Sequence, residues 1–467
     1  MGQLSRELLS AQRLAKKLDR GEDPVAIVGD HVVYRGSKLK IVEVKEELVA
    51  GEKVLTYRTS EGASFQYWTK QRRITTPFRV EWYQLSPTNR LFVEPRYLNE
   101  LLKEAIERAG SMDKLLKQLK KLGVRYSKAQ LHYNLKKSAQ GSKLIGVKVE
   151  LLRGLLAYLE RPYSDADSHI IAVGSSLPKS VKTSFPVNLE KPEVGTLLAA
   201  ALGNGSYPAD GRFTYKNTEK EMVEKVKSAL ESLLGNLRIE ERIEEGYKKQ
   251  IHTIRASTEI VRRLMENFGI KPGPKDNPNP ALEILPREAK IKYIQQTFDD
   301  EGWIARSDRG RQVQIAYTKS FKLKIEDEEM KRKLNDFIDK YGREELVLGA
   351  SPVRKVEISD ELLKKMDEEL ARFLRENEPP LIKKELNLLA ELIANGDERR
   401  IVCKPREVYR LEKTGEVSVR WLLLIGSKDM AKEYRDKIGF HHEAKRRTLN
   451  ELLGEGEDGR GRDDNSA

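Results

Sequence analysis

The sequence predicts an α+β protein assembled from several parts, and three observations carry that expectation. Between residues 25 and 95, β-branched and aromatic residues alternate with polar ones, the period of half-buried strands. Between residues 96 and 160 the apolar residues recur at helical spacing instead. From Pro192 onward a short apolar motif occurs twice, 97 residues apart, each time running into another alternating segment.

Composition bounds what such a protein does. With 467 residues, 39% hydrophobic and 34% charged, the chain has length for two to four domains with real cores and solvated surfaces. The single cysteine, Cys403, excludes an internal disulfide and a thiolate zinc cluster, which suits a reducing cytoplasm. No run approaches the roughly 18 apolar residues of a membrane span. The opening MGQLSRELLSAQRLAKKLDR carries charge throughout and reads as an amphipathic helix, unlike a secretory signal. A cytoplasmic monomer with no membrane association is expected. Net charge is +13, and residues 1–160 hold 30 Lys and Arg against 18 Asp and Glu, with 56 against 55 in the rest. A localised basic region attracts phosphate backbones through counterion release.

The first part, residues 1–95, is expected to be a helix followed by a small antiparallel barrel or sheet. Its Tyr67, Trp68, Arg72, Arg73, Trp82 and Tyr83 are expected first as core, and second as a basic-aromatic stacking surface. Residues 96–160 follow as a helical part. Leu115, Leu116, Leu119 and Leu122 mark one helix face that Gly123 can stop, Ser127 caps the next helix, and a third covers about 148–159. Two short helices joined by a glycine turn and closed by a third resemble a helix-turn-helix. On that reading Lys128, Gln130, His132 and Asn134 are the exposed groove-facing side chains. Residues 111–150, with ten Lys and Arg against two Asp and Glu, suit the role. Residues 161–190, rich in Ser, Pro and Asp, are expected as a linker.

The repeated motif is VGTLLAAALGNGS in its first copy and KIKYIQQTFDDEGWI in its second, leading into GRFTYKN and RQVQIAYTKS. An amphipathic helix, a second strand pair and NFGIKPG fill the interval. This order resembles the LAGLIDADG homing endonucleases in their single-chain form, over about residues 192–455. The resemblance implies two pseudo-symmetric αββαββα halves, 191–289 and 290–455, forming a saddle on duplex DNA. It implies a motif-helix pair with small residues at the seam, here Gly195, Ala199 and Gly203, followed by Gly205, with Asp300 and Gly302 in the second copy. Magnesium would be held at the motif ends, by Glu301 in the second half and by Asn204 where the family has an acid. Asparagine offers one neutral oxygen there, so weak metal binding and impaired cleavage are expected. Gln295 and Gln296 also depart from the family's small seam residues. DNA contacts would come from Arg212 and Lys216 in the first half, and from Arg306, Arg309, Arg311, Gln314 and Lys319 in the second. The same scaffold supports other readings: an active or nicking endonuclease, a transcription regulator, or an RNA-binding maturase.

Residues 326–396 exceed what that scaffold needs and are expected as a helical insertion, with one helix over 359–376 begun by Ser359. His441 and His442 lack partners at metal-ligand spacing. No phosphate-cradling glycine-lysine loop occurs, and the charged, glycine-rich tail 456–467 is expected to be disordered.

Overall fold

A computed structural model describes residues 25–141, 144–174, 180–208, 212–235, 237, 239–246, 249–257, 259–273, 278–306, 313–345 and 352–454. The expected first helix, the tail, Arg309 and Arg311 lie outside them. The chain forms two compact units: one ends at Gly273 and includes Asn279–Pro286, and the other continues from Arg287.

The first unit begins with a six-stranded antiparallel meander, β1 Val25–Val28, β2 His31–Tyr34, β3 Ser37–Val49, β4 Glu52–Thr59, β5 Ser64–Trp68 and β6 Arg73–Thr75, nearly closed on itself. Three of its turns are two residues long, Gly29-Asp30, Arg35-Gly36 and Ala50-Gly51, and in the last two both residues have positive φ. Such turns match the right-handed twist of the strands they join. Val32, Tyr34, Val54, Tyr57 and Phe65 fill the interior. Trp68, Trp82, Tyr83 and Tyr163 pack edge-on or tilted, with Trp68 and Tyr83 centroids 4.8 Å apart. Their burial, together with that of Tyr67, makes these aromatics core.

After β7 Arg79–Val80 and β8 Arg90–Val93 come three helices, α1 Pro95–Ala109, α2 Met112–Lys121 and α3 Lys128–Ala139, then β9 Ile145–Lys148 and α4 Val149–Tyr158. Ser127 caps α3 as expected, its hydroxyl accepting from the Gln130 amide while the Gln130 side chain accepts from the Ser127 amide. The stretch 161–190 corrects its expectation as a linker. It carries a short helical turn, Tyr163–His169, and strands β10 Ile170–Gly174, β11 Ser180–Lys182 and β12 Val187–Asn188. β10 and β11 join β8 and β9 in one sheet, while β12 pairs with β7. Tyr163, Ile170, Val173, Val187 and Leu189 are buried, so these apolar residues, scattered among Ser and Pro, make the segment part of the core.

α5 Glu193–Leu202 then leads into β13 Gly205–Ser206, β14 Arg212–Asn217, α6 Lys220–Leu234, β15 Ile239–Glu245, β16 Gln250–Ser257 and α7 Glu259–Asn267. The sheet order is β13-β14-β16-β15, all antiparallel. Phe213, Tyr215, Ile254 and Ala256 face the helices, against Met222, Val226 and Leu230 of α6. The meander is tied to this layer within the same unit. Phe78 meets Phe268 edge-on at 5.0 Å, the Asn267 amide donates to the Pro77 carbonyl at 3.3 Å, and Glu259 accepts from the Ser86 amide.

The second unit repeats the plan. α8 Arg287–Glu301 leads into β17 Gly302–Arg306, β18 Val313–Lys322 and α9 Glu328–Tyr341. β21 Val402–Leu411, β22 Val417–Ile425, α13 Lys428–Lys437 and α14 Glu443–Leu453 close it. The order β17-β18-β22-β21 reproduces that of the first sheet. The extra stretch is not wholly helical: β19 Arg343–Glu345 and β20 Val353–Glu357 extend the sheet beyond β21. Three helices follow, α10 Asp360–Lys365, α11 Glu368–Glu376 and α12 Pro380–Ile393. The single helix expected over 359–376 is broken because Asp367 leaves helical backbone and caps α11, its carboxylate accepting from the Leu370 amide.

Candidate nucleic-acid interface

Each motif helix leads into a strand that opens on glycine, but the exits differ: α5 stops at Leu202 before a Gly203-Asn204 turn, whereas α8 runs through Glu301 straight into Gly302. Every residue of α5 from Val194 to Leu202 is buried, Gly195 and Ala199 among them. Gly203 then turns the chain so that Asn204 is exposed and Gly205 is buried. A Cβ on Gly205 would stand 2.4 Å from the Ala200 carbonyl oxygen, and one on Gly302 would stand 2.5 Å from that of Phe298. Real Cβ atoms do not approach so closely, so both positions require glycine. Asn204 and Glu301 each stand one residue before that glycine, Asn204 in the turn after its helix and Glu301 as the last residue of its helix.

The chemistry at the two ends differs. α8 finishes with Asp299, Asp300 and Glu301 at the end of a helix whose dipole is already negative there. The Asp299 carboxylate accepts from the backbone amides of His441 and His442 at 3.1 Å, capping the start of α14. Lys445, in the first turn of α14, returns its ammonium to the Phe298 and Asp299 carbonyls at 3.0 and 2.5 Å. Burial pulls the Lys445 ammonium below its ordinary range, while Asp299, Asp300 and Glu301 pull it back. Gln295 is buried and donates to the Ile438 carbonyl at 3.0 Å.

These residues do not fit the magnesium that the resemblance implies. Asn204 is neutral, the Asp299 carboxylate is engaged as a cap, and a lysine already donates to the carbonyls beside Glu301. Among the described residues no three His, Cys, Asp or Glu side chains converge to hold a metal ion.

The outer faces of the two sheets carry polar and basic side chains. Arg212, Thr214 and Lys216 alternate with the inward Phe213 and Tyr215, and cross-strand register places Arg255, Arg242, Glu240 and Glu244 on their face. Lys216 pairs with Glu244 at 3.0 Å. In the second unit Gln314, Thr318, Ser320 and Lys322 lie on the outer side of β18. Lys319 is a correction: it shares the side of Tyr317 and Phe321, facing the helices, because β18 keeps strict alternation through residue 321. Arg306, exposed at the end of β17, is a further correction: its partner Val313 places it on the same side as Lys319, not on the outer face.

The structure adds residues to this face that the sequence reading missed. The Arg406 guanidinium lies 5.1 Å from the centre of the Trp303 ring. Arg420 pairs with Glu407 at 2.7 Å, reaches Ser320, and lies 6.0 Å from the Tyr409 ring. Alternation alone does not place Arg406, because a bulge between Pro405 and Glu407 breaks the strand's period.

On α3, Lys128, Gln130 and His132 are exposed as expected, and Lys128 pairs with Asp113 at 2.8 Å. Asn134 corrects the expectation. It is buried, with its amide donating to the Tyr126 hydroxyl at 3.0 Å, since the helical period places it one turn after Leu131 on the inward face. Tyr133, 59% exposed and with Lys137 near its ring, stands outward in its place.

One buried carboxylate lies behind the second sheet. Glu385 of α12 is fully buried and accepts from the Tyr293 hydroxyl of α8 at 2.7 Å and from the Tyr317 hydroxyl of β18. Burial pushes its carboxyl above the ordinary glutamate range, against the pull of Lys319 and of the two tyrosines. No family model matches the chain, and no curated protein matches it.

Proposed function

We propose that the protein binds duplex DNA through a degenerate LAGLIDADG scaffold, assisted by its helix-turn-helix-like part, and that strand cleavage is absent or weak. The observation that carries this reading is the repeat itself. Each unit contains a run of helix, hairpin, helix, hairpin, helix, which in the second is interrupted by β19, β20 and α10–α12; the hairpin strands take the order first-second-fourth-third in both sheets, and the strand after each motif helix opens on a glycine, the two 97 residues apart. That is the connectivity the resemblance implies, and it supports a family fold with two motif copies in one chain. The neutral Asn204 and the engaged Asp299 support binding over cleavage. Polar and basic side chains on the outer sheet faces, together with the exposed side of α3, supply phosphate and base contacts of the kinds DNA readers use.

Selection from a randomised duplex library, run in parallel with EDTA and with Mg²⁺ and scored for retention and strand breaks, tests the proposal. Sequence-selective retention in both buffers without breaks is the expected result. Breaks abolished by Glu301→Gln would restore the endonuclease reading, and stronger retention of folded RNA than of any duplex would replace DNA with RNA.

A further inference from the structure

At the end of α8 two helix termini cap each other. The Asp299 carboxylate accepts from the His441 and His442 amides just ahead of α14, whose N-cap is the His442 ring, and Lys445, three residues into α14, donates to the Phe298 and Asp299 carbonyls near the end of α8. An acid at a helix start and a base at a helix end each oppose the local dipole charge. The exchange fixes both side chains from both directions, so Lys445 is held at this end by the fold and is not a passing surface contact.

That placement competes with a metal. Magnesium or manganese at Glu301 needs near-octahedral oxygen ligands at about 2.0–2.1 Å. The nearest donors would be the Asp300 and Glu301 carboxylates and the carbonyls of Phe298 and Asp299. Those two carbonyls already receive the ammonium, at 3.0 and 2.5 Å. A divalent ion beside it would meet a like charge and share its ligands.

We propose that the Lys445 ammonium is the resident cation of this acidic helix end, taking the place of a divalent metal, so that the second motif neither needs nor binds one. The proposal rests on the scaffold reading only for the role a metal would otherwise have. The lysine is a positioning residue: it holds the motif end and α14 in register while contributing no ligand to substrate.

The test is a Mn²⁺ titration of the full chain without DNA, followed by electron paramagnetic resonance of free Mn²⁺. The parent protein and Glu301→Gln should take up Mn²⁺ alike. Lys445→Met, with its fold checked by circular dichroism, should gain one site at least about tenfold tighter, and adding Glu301→Gln should remove the gain. A Mn²⁺ site in the parent that Glu301→Gln abolishes overturns the proposal, as does a folded Lys445→Met variant that gains nothing. If Lys445→Met does not fold, the comparison of parent with Glu301→Gln decides alone. DNA retention in EDTA is measured separately: its loss would remove the DNA reading and leave the Mn²⁺ result standing.

Discussion

The two motif ends share a glycine that opens the following strand and almost nothing else. α5 is buried from Val194 to Leu202 with Thr196 its one polar side chain there, and a neutral, exposed Asn204 follows. Its counterpart α8 buries Tyr293, Gln295, Gln296, Thr297 and Asp299 and ends in three acids, with Lys445 donating to the Phe298 and Asp299 carbonyls beside them. What the pair preserves is the glycine after each motif, where steric contact with a carbonyl leaves no choice. Topology here is set by a few small residues, and the chemistry around it is free to drift. The second unit offsets its polar motif helix with partners from elements the first lacks, above all Glu385 of the inserted α12.

The largest expected effect breaks that compensation. Glu385→Ala leaves two buried phenol hydroxyls without acceptors and opens a cavity, for a loss of about 3–5 kcal/mol in the second unit. Glu385→Gln keeps an acceptor and should cost far less. It should also change the pH dependence. Burial raises the native carboxyl's pKa, so the native state holds this proton more tightly than the unfolded chain. The contribution of Glu385 is then complete below the ordinary glutamate value of 4.5 and is lost as pH rises through the higher native value. Urea melts at several pH values should show the Gln variant gaining on the parent as pH rises above 4.5. A difference that stays flat would mean that the two tyrosines hold the carboxylate ionised.

The glycines come next in size. Gly205→Ala and Gly302→Ala each force a methyl group into a main-chain carbonyl, at about 1–3 kcal/mol. Similar losses by chemical denaturation, read unit by unit, would sharpen the equivalence of the two motif ends. A large loss at one and none at the other would break it.

How much of this was legible in the sequence follows from which signals are local. The Ser127 cap, the glycine after each motif and the alternation of 212–217 and 313–322 are written in neighbouring residues, and the structure carries all of them. Tyr163 was hidden because its partners Trp82, Tyr83 and Trp68 lie some eighty or more residues upstream, so the segment around it read as a linker. The same holds for the Asp299–Lys445 clasp, which joins residues far apart in the chain, and for Arg406, displaced by its bulge. Lys319 and Asn134 are a different failure. Alternation and helical period place both side chains inward, where their polarity alone points outward.

A smaller effect separates the two sides of β18. If the outer face contacts phosphates, Arg406→Ala and Arg420→Ala should each weaken DNA retention and lower the slope of log affinity against log salt by about one. Lys319→Ala, on the helix-facing side, should leave that slope unchanged. Equal slopes in all three variants would remove the second sheet from the interface.

The smallest effect contrasts two neighbours on α3. Asn134→Ala removes the donor to the Tyr126 hydroxyl inside the helical part and should cost about 1 kcal/mol of stability. DNA affinity should then fall only as far as folding does. Tyr133→Ala removes a ring that is mostly in solvent, so its melting temperature should stay within error of the parent. If α3 lies in a groove, however, the loss of that ring should weaken retention several-fold, since stacking or packing on bases is worth about 1–3 kcal/mol. One helix thus offers an inward polar residue that acts on folding and an outward aromatic one that acts on binding. Finding both effects on stability alone would reduce α3 to part of an ordinary helical bundle.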